Sequence, residues 1–227
     1  MSFGDSKVII SNQDGVHDKL EDIVQKHLKH RFEKPYSQHT LDVFNALDAE
    51  IKTFQGSVIL DACCGVGQST RILAKRNPDA LVIGVDKSAN RIDRNVDEHI
   101  DESLANLPNV RLVRADLNDF YRLVAQSGWP IEQHFILYPN PWPKSKHIQR
   151  RWHGSAVFPT ILQIGQRIEL RSNWPLYLEE FAAATKIVGG FTTELAVVDD
   201  EMPITPFEAK YKASGQICYQ LVLTRTA

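Results

Sequence analysis

The sequence predicts an α/β protein built on a mostly parallel, doubly wound sheet. Three observations predict it: short apolar runs of strand length recur along the chain, helical periodicity fills most intervals between them, and the last two runs form an antiparallel pair. Seven such runs indicate a Rossmann-like sheet of seven strands with an antiparallel C-terminal strand and helices on both faces.

The composition is that of an ordinary soluble globular protein. The 227 residues are 43% hydrophobic and 24% charged, enough for one large domain with a full core. No apolar run reaches ~18 residues and the start has no signal-peptide pattern, so we expect a cytoplasmic protein that does not enter the membrane. We also expect a monomer or a homodimer. We divide the chain into an arm with covering helices, 1–55, and the main domain, 56–227.

Charge and cysteine usage exclude several classes of protein. Cys63, Cys64 and Cys218 show neither CxxC nor metal-ligand spacing, which predicts no disulfide framework and no metal site. The net charge of −2 excludes a uniformly basic surface. Any nucleic-acid binding must therefore come from local patches and be sensitive to salt.

The N-terminal region is predicted to be an arm followed by two helices. Residues 1–15 are polar and aperiodic, which favours a mobile arm, and helical spacing follows from Val16 to Phe32 and from Thr40 to Phe54. The basic end of the first helix suits the helix dipole as well as it suits RNA.

The first two strands end in carboxylates that flank a glycine turn. Val58 to Leu60 leads to Asp61, then Gly65 and Gly67 open a helix, and a second strand, Leu81 to Val85, ends in Asp86. Glycines allow a ligand to approach the backbone at a helix N-terminus, and an acid after the second strand can accept hydrogen bonds from ribose hydroxyls.

The turn favours S-adenosylmethionine over a dinucleotide. The third glycine of the dinucleotide fingerprint is missing, because Gln68, Ser69 and Thr70 follow Gly67. A carboxylate at Asp61 repels phosphate but suits an ammonium group. Asp116, after a third strand from Val110 to Arg114, is either a helix N-cap or a contact to the adenine amino group.

The fourth strand, Gln133 to Tyr138, opens into a stiff polar loop. Three prolines in YPNPWPKSKHIQRR forbid helix and further strand pairing. The loop carries Asn140 and Trp142, which either packs or stacks on a base, and then a basic run. Such a loop suits chemistry on an anionic partner.

The rest of the chain completes the α/β pattern. We expect helices at Ser155 to Ile164 and Leu176 to Ile187, and a helix from Ser88 to Leu104 before the third strand. The remaining three strands are expected at Arg167 to Leu170, Phe191 to Val198 and Gln216 to Thr224.

Three blocks together resemble the bacterial-type tRNA (guanine-N7)-methyltransferases. YPNPWPKSKHIQRR is similar to the family's F-P-D-P-W-x-K-x-x-H-x-K-R-R, RSNWPLY to T-D-W-x-x-Y, and TPFEAK to T-x-F-E-x-K. The resemblance is collinear from about Ser57 to the C-terminus. It implies a class I enzyme that transfers a methyl group from S-adenosylmethionine to guanosine N7 in the tRNA variable loop.

The resemblance also implies a role for individual residues. Asn140 takes the catalytic position. The donor-binding residues are Asp61, Gly65, Gly67, Asp86, Asp116, Tyr138 and Asn140. The substrate-binding residues are Lys144, Asn173, Thr205, Phe207 and Glu208, of which Glu208 is expected to accept N1–H and N2–H₂ of guanine. The RNA-binding residues are Lys146, His147, Arg150 and Arg151.

Two positions depart from the family, which has aspartate where this chain has Asn140 and Asn173. Guanine N7 carries a free lone pair, so a strong base at Asn140 is not required, and an amide remains a weaker acceptor. Two alternatives stay open: a related methyltransferase with a different substrate, and a catalytically silent RNA-binding paralogue.

Overall fold

The computed structural model describes residues 6–93, 102–200 and 202–226. Seven strands form one mixed sheet in the order β3-β2-β1-β4-β5-β7-β6, which confirms the predicted seven-stranded α/β fold with antiparallel strands at its C-terminal end. The strands are β1 (Val58–Ala62), β2 (Leu81–Asp86), β3 (Val110–Arg114), β4 (Ile131–Leu137), β5 (Arg167–Ser172), β6 (Phe191–Val197) and β7 (Tyr219–Arg225).

Eight α-helices lie in the described parts of the chain. They are α1 (Leu20–Lys29), α2 (Gln38–Ile51), α3 (Gln68–Arg76), α4 (Ala89–Asp93), α5 (Leu117–Ser127), α6 (Phe158–Ile161), α7 (Pro175–Val188) and α8 (Pro206–Ala213). Short 3₁₀ helices are found at Glu102–Leu104, Ser145–Arg150 and Trp152–Gly154. Within these ranges no helix is long and apolar enough to cross a membrane, and no three His, Cys, Asp or Glu side chains are grouped as metal ligands.

The chain divides into two compact units. The glycine-turn unit comprises Lys34–Leu137 and Ile164–Gln166, and the basic-loop unit comprises the described parts of Met1–Glu33, Tyr138–Gln163 and Arg167–Ala227. The units do not follow the predicted boundary at residue 55, because α1 belongs to the basic-loop unit and α2 to the glycine-turn unit.

The glycine-turn unit is built on the parallel pairs β1–β2, β1–β4 and β2–β3. Every residue of β1 and β2 is buried, as expected of parallel strands covered on both faces. Helix α2 packs beside α5, and the Phe44 ring stacks on Trp129 with centroids 5.0 Å apart. This buried framework fixes the positions at which β1 and β2 end.

The basic-loop unit is built on antiparallel strands, with β7 between β5 and β6. Helix α7 contributes the buried aromatic residues Tyr177 and Phe181 to the core of this unit, and α1 packs against it through Leu20 and Val24. The exposed edge strand β6 contrasts with the buried β5.

Two predicted helices differ from the structure, and one observed helix was not predicted. The helix expected at Ser155 to Ile164 is only α6, because residues 155–157 and 162–164 form turns. Of the helix expected from Ser88 to Leu104, residues 94–101 lie outside the described residues. Helix α8 was not predicted, although Thr205-x-x-Glu208 is a capping-box pattern.

The N-terminal arm, which is predicted to be mobile, makes specific hydrogen bonds to the loop after β4. Ser11 Oγ donates to the Pro143 carbonyl at 2.7 Å, and Asn12 Oδ1 accepts from the Ser145 amide at 2.9 Å. Polar, aperiodic residues were read as mobile, but here their side chains satisfy the backbone of another loop. Residues 1–5 of the predicted arm lie outside the described residues.

Candidate functional site

The turn after β1 uses left-handed backbone at Gly65 (φ 62°) and Gly67 (φ 77°). A Cβ on Gly67 would lie 2.6 Å from Leu112, so only glycine fits there. A Cβ on Gly65 would meet nothing within 4 Å, and the Gly65 amide donates to Asp86 Oδ2 at 3.1 Å. The backbone beside Gly65 is therefore open to a ligand.

Asp61, at the end of β1, is a fully buried carboxylate with one unused oxygen. Its Oδ2 accepts hydrogen bonds from Ser69 Oγ at 2.6 Å and Thr70 Oγ1 at 2.7 Å, whereas Oδ1 has no hydrogen-bond partner among the described residues. Burial raises the pKa of Asp61 from 3.8 to about 6, and the negative charge of Asp86 adds to this. An anion held under these conditions is suited to receiving a cationic ligand group.

Asp86, at the end of β2, is held in a fixed orientation. Oδ1 accepts from the Ser88 amide at 2.8 Å, and Oδ2 accepts from the Gly65 amide and from Arg91 Nη1 at 3.2 Å. A carboxylate offers about four acceptor positions, so one remains for a ligand hydroxyl.

Asp116 is the N-cap of α5. Oδ1 accepts from the Asn118 amide at 3.0 Å, while Oδ2 lies 3.9 Å from Lys87 Nζ. The capping alternative is thus observed. The contact to an adenine amino group, for which Oδ2 is free of hydrogen bonds in the described structure, stays a prediction.

The loop after β4 begins with strained backbone. Tyr138 adopts φ 50° and donates its amide to the Arg171 carbonyl at 2.8 Å, and its ring packs against Tyr211 at 5.6 Å. Burial, first of several causes, raises the pKa of Tyr138. The Asn140 side chain is exposed, and its Oδ1 accepts from the amide of Trp142, itself at φ 44°.

The basic run presents three exposed cations, Lys144, Lys146 and Arg150. No carboxylate of the described residues pairs with any of them. The Arg150 guanidinium lies 4.7 Å from the Trp142 ring centroid, and the His147 ring meets the indole edge-on at 5.7 Å. Partial burial and then the charges of Arg150, Lys146 and Lys144 lower the pKa of His147.

Arg151, which is predicted to bind RNA, is buried in the structure. Its side chain has 0% exposed surface, forms an ion pair with Glu180 and lies 4.9 Å from the Trp174 ring. All of its polar groups are turned to partners within the basic-loop unit, and a contact between Arg151 and RNA stays a prediction. The 3₁₀ turn at Ser145–Arg150 points consecutive side chains in different directions, which separates buried Arg151 from exposed Arg150.

Asn173 follows β5 and is held by a hydrogen-bonded relay. Gln216 Nε2 donates to the Ser6 carbonyl at 2.6 Å, so Gln216 Oε1 must face Asn173, whose Nδ2 donates to it at 2.8 Å. The Ser6 carbonyl can only accept a hydrogen bond, so it fixes the orientation of the Gln216 amide, which in turn fixes that of the Asn173 amide. Asn173 Oδ1 accepts no hydrogen bond from the described residues, and it is an acceptor like the aspartate of the family.

Glu208 was predicted to bind guanine, but its carboxylate is buried and already paired. Arg171 Nη1 lies 3.3 and 3.1 Å from the two carboxylate oxygens, and Lys212 Nζ lies 3.4 Å from Oε1. Although burial alone would lower the pKa of Arg171, the carboxylates of Glu169 and Glu208 raise it. The Glu208 carboxylate is therefore already paired in this structure, and its contact with guanine stays a prediction.

The neighbours of Glu208 in the substrate-binding block have different environments. Thr205 Oγ1 caps α8 by accepting from the Glu208 amide at 3.0 Å, and Phe207 is 49% exposed. Thr205 is thus observed in a structural role, and the exposed ring of Phe207 stays a predicted substrate contact.

Several residues that organise the site gave no sequence signal. Each lies far along the chain from a partner in the site: Arg171 is 37 residues from Glu208, Glu180 is 29 from Arg151 and Gln216 is 43 from Asn173. No pattern distinguishes Glu180 from the exposed Glu179 beside it. Only tertiary packing reveals their roles.

Comparisons with known proteins place the chain among methyltransferases. A family described as "Putative methyltransferase" matches residues 55–221. A tRNA (guanine-N(7)-)-methyltransferase of Saccharophagus degradans is 24% identical over 208 residues, covering 87% of this chain and 89% of that protein. A protein of the same name from Neisseria meningitidis is 27% identical over 173 residues, covering 74% and 71%.

Solved structures agree in fold. An antibiotic-related methyltransferase superposes with a TM-score of 0.57 at 17% identity, covering 86% of this chain and 97% of that one. A 16S rRNA (adenine(1408)-N(1))-methyltransferase from Catenulisporales acidiphilia gives 0.55 at 15% identity, covering 80% and 91%. These likenesses concern the fold alone. Because the family match spans more than half of its length and includes both the glycine turn and the basic loop, the chain belongs to this methyltransferase family.

Proposed function

We propose that the protein transfers a methyl group from S-adenosylmethionine to N7 of a guanosine in tRNA. The observation that carries the proposal is the loop after β4, which presents Asn140 followed by exposed, unpaired Lys144, Lys146 and Arg150. Two relatives that share most of this chain's length are named for that reaction.

The glycine-turn unit fits the methyl donor. The unpaired Asp61 Oδ1 suits the α-ammonium group, the open acceptor position on Asp86 suits a ribose hydroxyl, and the open backbone at Gly65 admits the ligand between them. When bound, S-adenosylmethionine supplies a methyl group on a positively charged sulfur. Asp61 and Asp86 hold and orient that molecule.

The basic-loop unit fits the tRNA. Exposed cations without carboxylate partners are ready to neutralise phosphates, and each neutralised phosphate releases counterions. Lys146 and Arg150 serve the backbone, and Lys144, two residues closer to Asn140, serves the target nucleotide.

Methyl transfer to guanine N7 requires the protein to align the reacting groups and does not require a general base. Guanine N7 attacks with its own lone pair, and the proton count of the base does not change. Orientation of this kind can be worth ~7 to 11 kcal/mol. The free Oδ1 of Asn173 is an acceptor for N–H groups of the guanine edge, a role that Glu208 cannot take while Arg171 holds its carboxylate.

One observation favours a second candidate, a methyltransferase with another RNA substrate. The two positions where the family has aspartate are amides here, and Glu208 is neutralised, so no free carboxylate is found among these three residues. A catalytically silent RNA-binding protein is disfavoured. Burial of a carboxylate oxygen without a partner costs free energy, and a protein that only binds RNA gains nothing from Asp61.

Two measurements test the proposal. Isothermal titration with S-adenosylmethionine should show binding, and incubation of unmodified tRNA with the methyl-labelled donor should give labelled 7-methylguanosine on nucleoside analysis. Label in another nucleoside selects the second candidate. Absence of donor binding would end the proposal at its first step.

A further inference from the structure

The backbone of the basic loop is held by side chains instead of by a strand. The prolines at 139, 141 and 143 remove amides and prevent pairing. Four consecutive residues nonetheless have partners: the Trp142 carbonyl accepts from Arg151 Nε at 3.2 Å and Nη2 at 3.1 Å, and the Lys144 carbonyl accepts from the same Nη2 at 3.4 Å.

The N-terminal arm supplies the other two partners. Ser11 Oγ donates to the Pro143 carbonyl at 2.7 Å, and the Ser145 amide donates to Asn12 Oδ1 at 2.9 Å. The N-terminal arm and the Arg151 guanidinium therefore contact alternate residues of the loop. Each of the four backbone groups between the catalytic position and the phosphate-binding cations is fixed in direction.

Arg151 is itself anchored in the interior of the basic-loop unit. Its Nη1 donates to Glu180 and, at 3.2 Å, to Gln13 Oε1 of the arm. Glu180 also accepts from the His17 amide at 3.0 Å and contacts His153 Nε2 at 3.0 Å. Burial alone would raise the pKa of Glu180, but hydrogen bonds and charge from His153 and Arg151 lower it to about 2.

We propose that Ser11, Asn12 and Arg151 form a clasp that presets the loop from Asn140 to Lys144, and that they are positioning residues for methyl transfer. The clasp explains why a fully buried arginine lies next to exposed Arg150. Its consequence for methyl transfer rests on the proposed function, whereas its consequence for loop order does not.

The test uses variants of the full chain. Ser11→Ala combined with Asn12→Ala removes two clasp contacts and leaves the buried ion pair intact, so the protein should fold. Arg151→Lys keeps a positive charge for Glu180 but loses the forked contact to the loop carbonyls. Asp14→Ala, an exposed change in the same arm, is the matched control.

Loop order is read without donor or tRNA, by the rate of trypsin cleavage after Lys144 and Lys146 and by hydrogen exchange of the Ser145 amide. Loss of two hydrogen bonds in the double variant should accelerate both trypsin cleavage and Ser145 amide exchange about tenfold. Arg151→Lys should accelerate cleavage similarly. The Asp14→Ala protein should match the wild type. Wild-type cleavage and exchange rates in the double variant would overturn the clasp, whether or not Arg151→Lys folds.

Two further readouts separate positioning from RNA contact. With tRNA, Arg151→Lys and the double variant should keep the wild-type salt slope of binding, whereas Arg150→Ala should make it shallower by about one ion. In the transfer assay the clasp variants should lower kcat with little change in the KM for tRNA. A reduced salt slope in Arg151→Lys would instead make Arg151 a phosphate ligand and refute its assignment as a positioning residue.

Discussion

Replacing Asp61 with asparagine tests whether the glycine turn is built around a cation. Burial raises the pKa of this carboxyl from 3.8 to about 6. At ~1.4 kcal/mol per pH unit, the ionised side chain costs the free protein about 3 kcal/mol of unfolding free energy at neutral pH. A cationic ligand group beside Oδ1 would recover part of that cost.

The sign of the effect follows from proton binding. Between pH 3.8 and about 6 the folded state binds more protons at Asp61 than the unfolded state, so this residue's contribution to stability is lost as pH rises through that window. Asp61→Asn removes the dependence. Urea unfolding at pH 4.5, 5.5, 6.5 and 7.5 should show the wild type losing stability relative to the variant by about 2 kcal/mol across the series, because about 1 kcal/mol of the total is already lost by pH 4.5.

Donor affinity should change in the opposite direction. Because an ammonium group prefers the ionised form, wild-type affinity for S-adenosylmethionine should fall about tenfold per pH unit below pH 6 and level off above it. At pH 7.5, Asp61→Asn should bind about 10- to 150-fold more weakly, as expected for a lost charge-assisted hydrogen bond. Asp79→Asn, at an exposed acid of the same unit, is the control. Equal affinities of wild type and Asp61→Asn, or a flat wild-type profile from pH 5 to 8, would refute the assignment.

Four other predictions concern the basic-loop unit. Lys146→Ala with Arg150→Ala should make the slope of log K against log salt shallower by about 1.5, measured by filter binding from 50 to 200 mM salt; an unchanged slope would contradict phosphate contact. Partial burial and then the neighbouring cations lower the pKa of His147, whereas phosphates favour its charged form, so tRNA binding should strengthen as pH falls below 6.5, and His147→Ala should abolish this dependence. Asn173→Leu should raise the KM for tRNA about tenfold while Asn173→Asp retains activity, and equal KM values would remove Asn173 from the substrate site. Glu208→Gln should cost about 3 kcal/mol in urea unfolding, because it leaves a buried arginine without one of its carboxylates, and a loss of tRNA affinity without loss of stability would restore Glu208 as a substrate ligand.

Local pattern was enough to predict the fold and the positions of the acids that end the first two strands. Parallel strands that end in Asp61 and Asp86 meet at one edge of a sheet by necessity, so the sequence alone brings these residues together. The glycine at position 67 likewise predicts the left-handed turn that is found there. Here each residue's role follows from its own position in a strand or turn.

The loop was harder because burial within it depends on tertiary partners. Arg150 and Arg151 are equivalent in the sequence, and only the anchoring of Glu180 on α7 decides which of them is buried. Glu208 matches its family motif, but an arginine 37 residues earlier in the chain takes its carboxylate. Ser11 and Asn12 lie in a polar stretch without periodicity, and only the tertiary structure shows that they contact the backbone of the proline-rich loop.

The position of the methyl group in the RNA is the most direct test of the central claim. Unmodified tRNA is incubated with the protein and S-adenosylmethionine, and then treated with borohydride and aniline, which break the strand at 7-methylguanosine. We expect one cleavage, at a guanosine of the variable loop. This cleavage should disappear with the Asp61→Asn protein when the concentration of S-adenosylmethionine is well below the dissociation constant of that variant for the donor. Donor-dependent methylation of the same tRNA without any strand cleavage would contradict it.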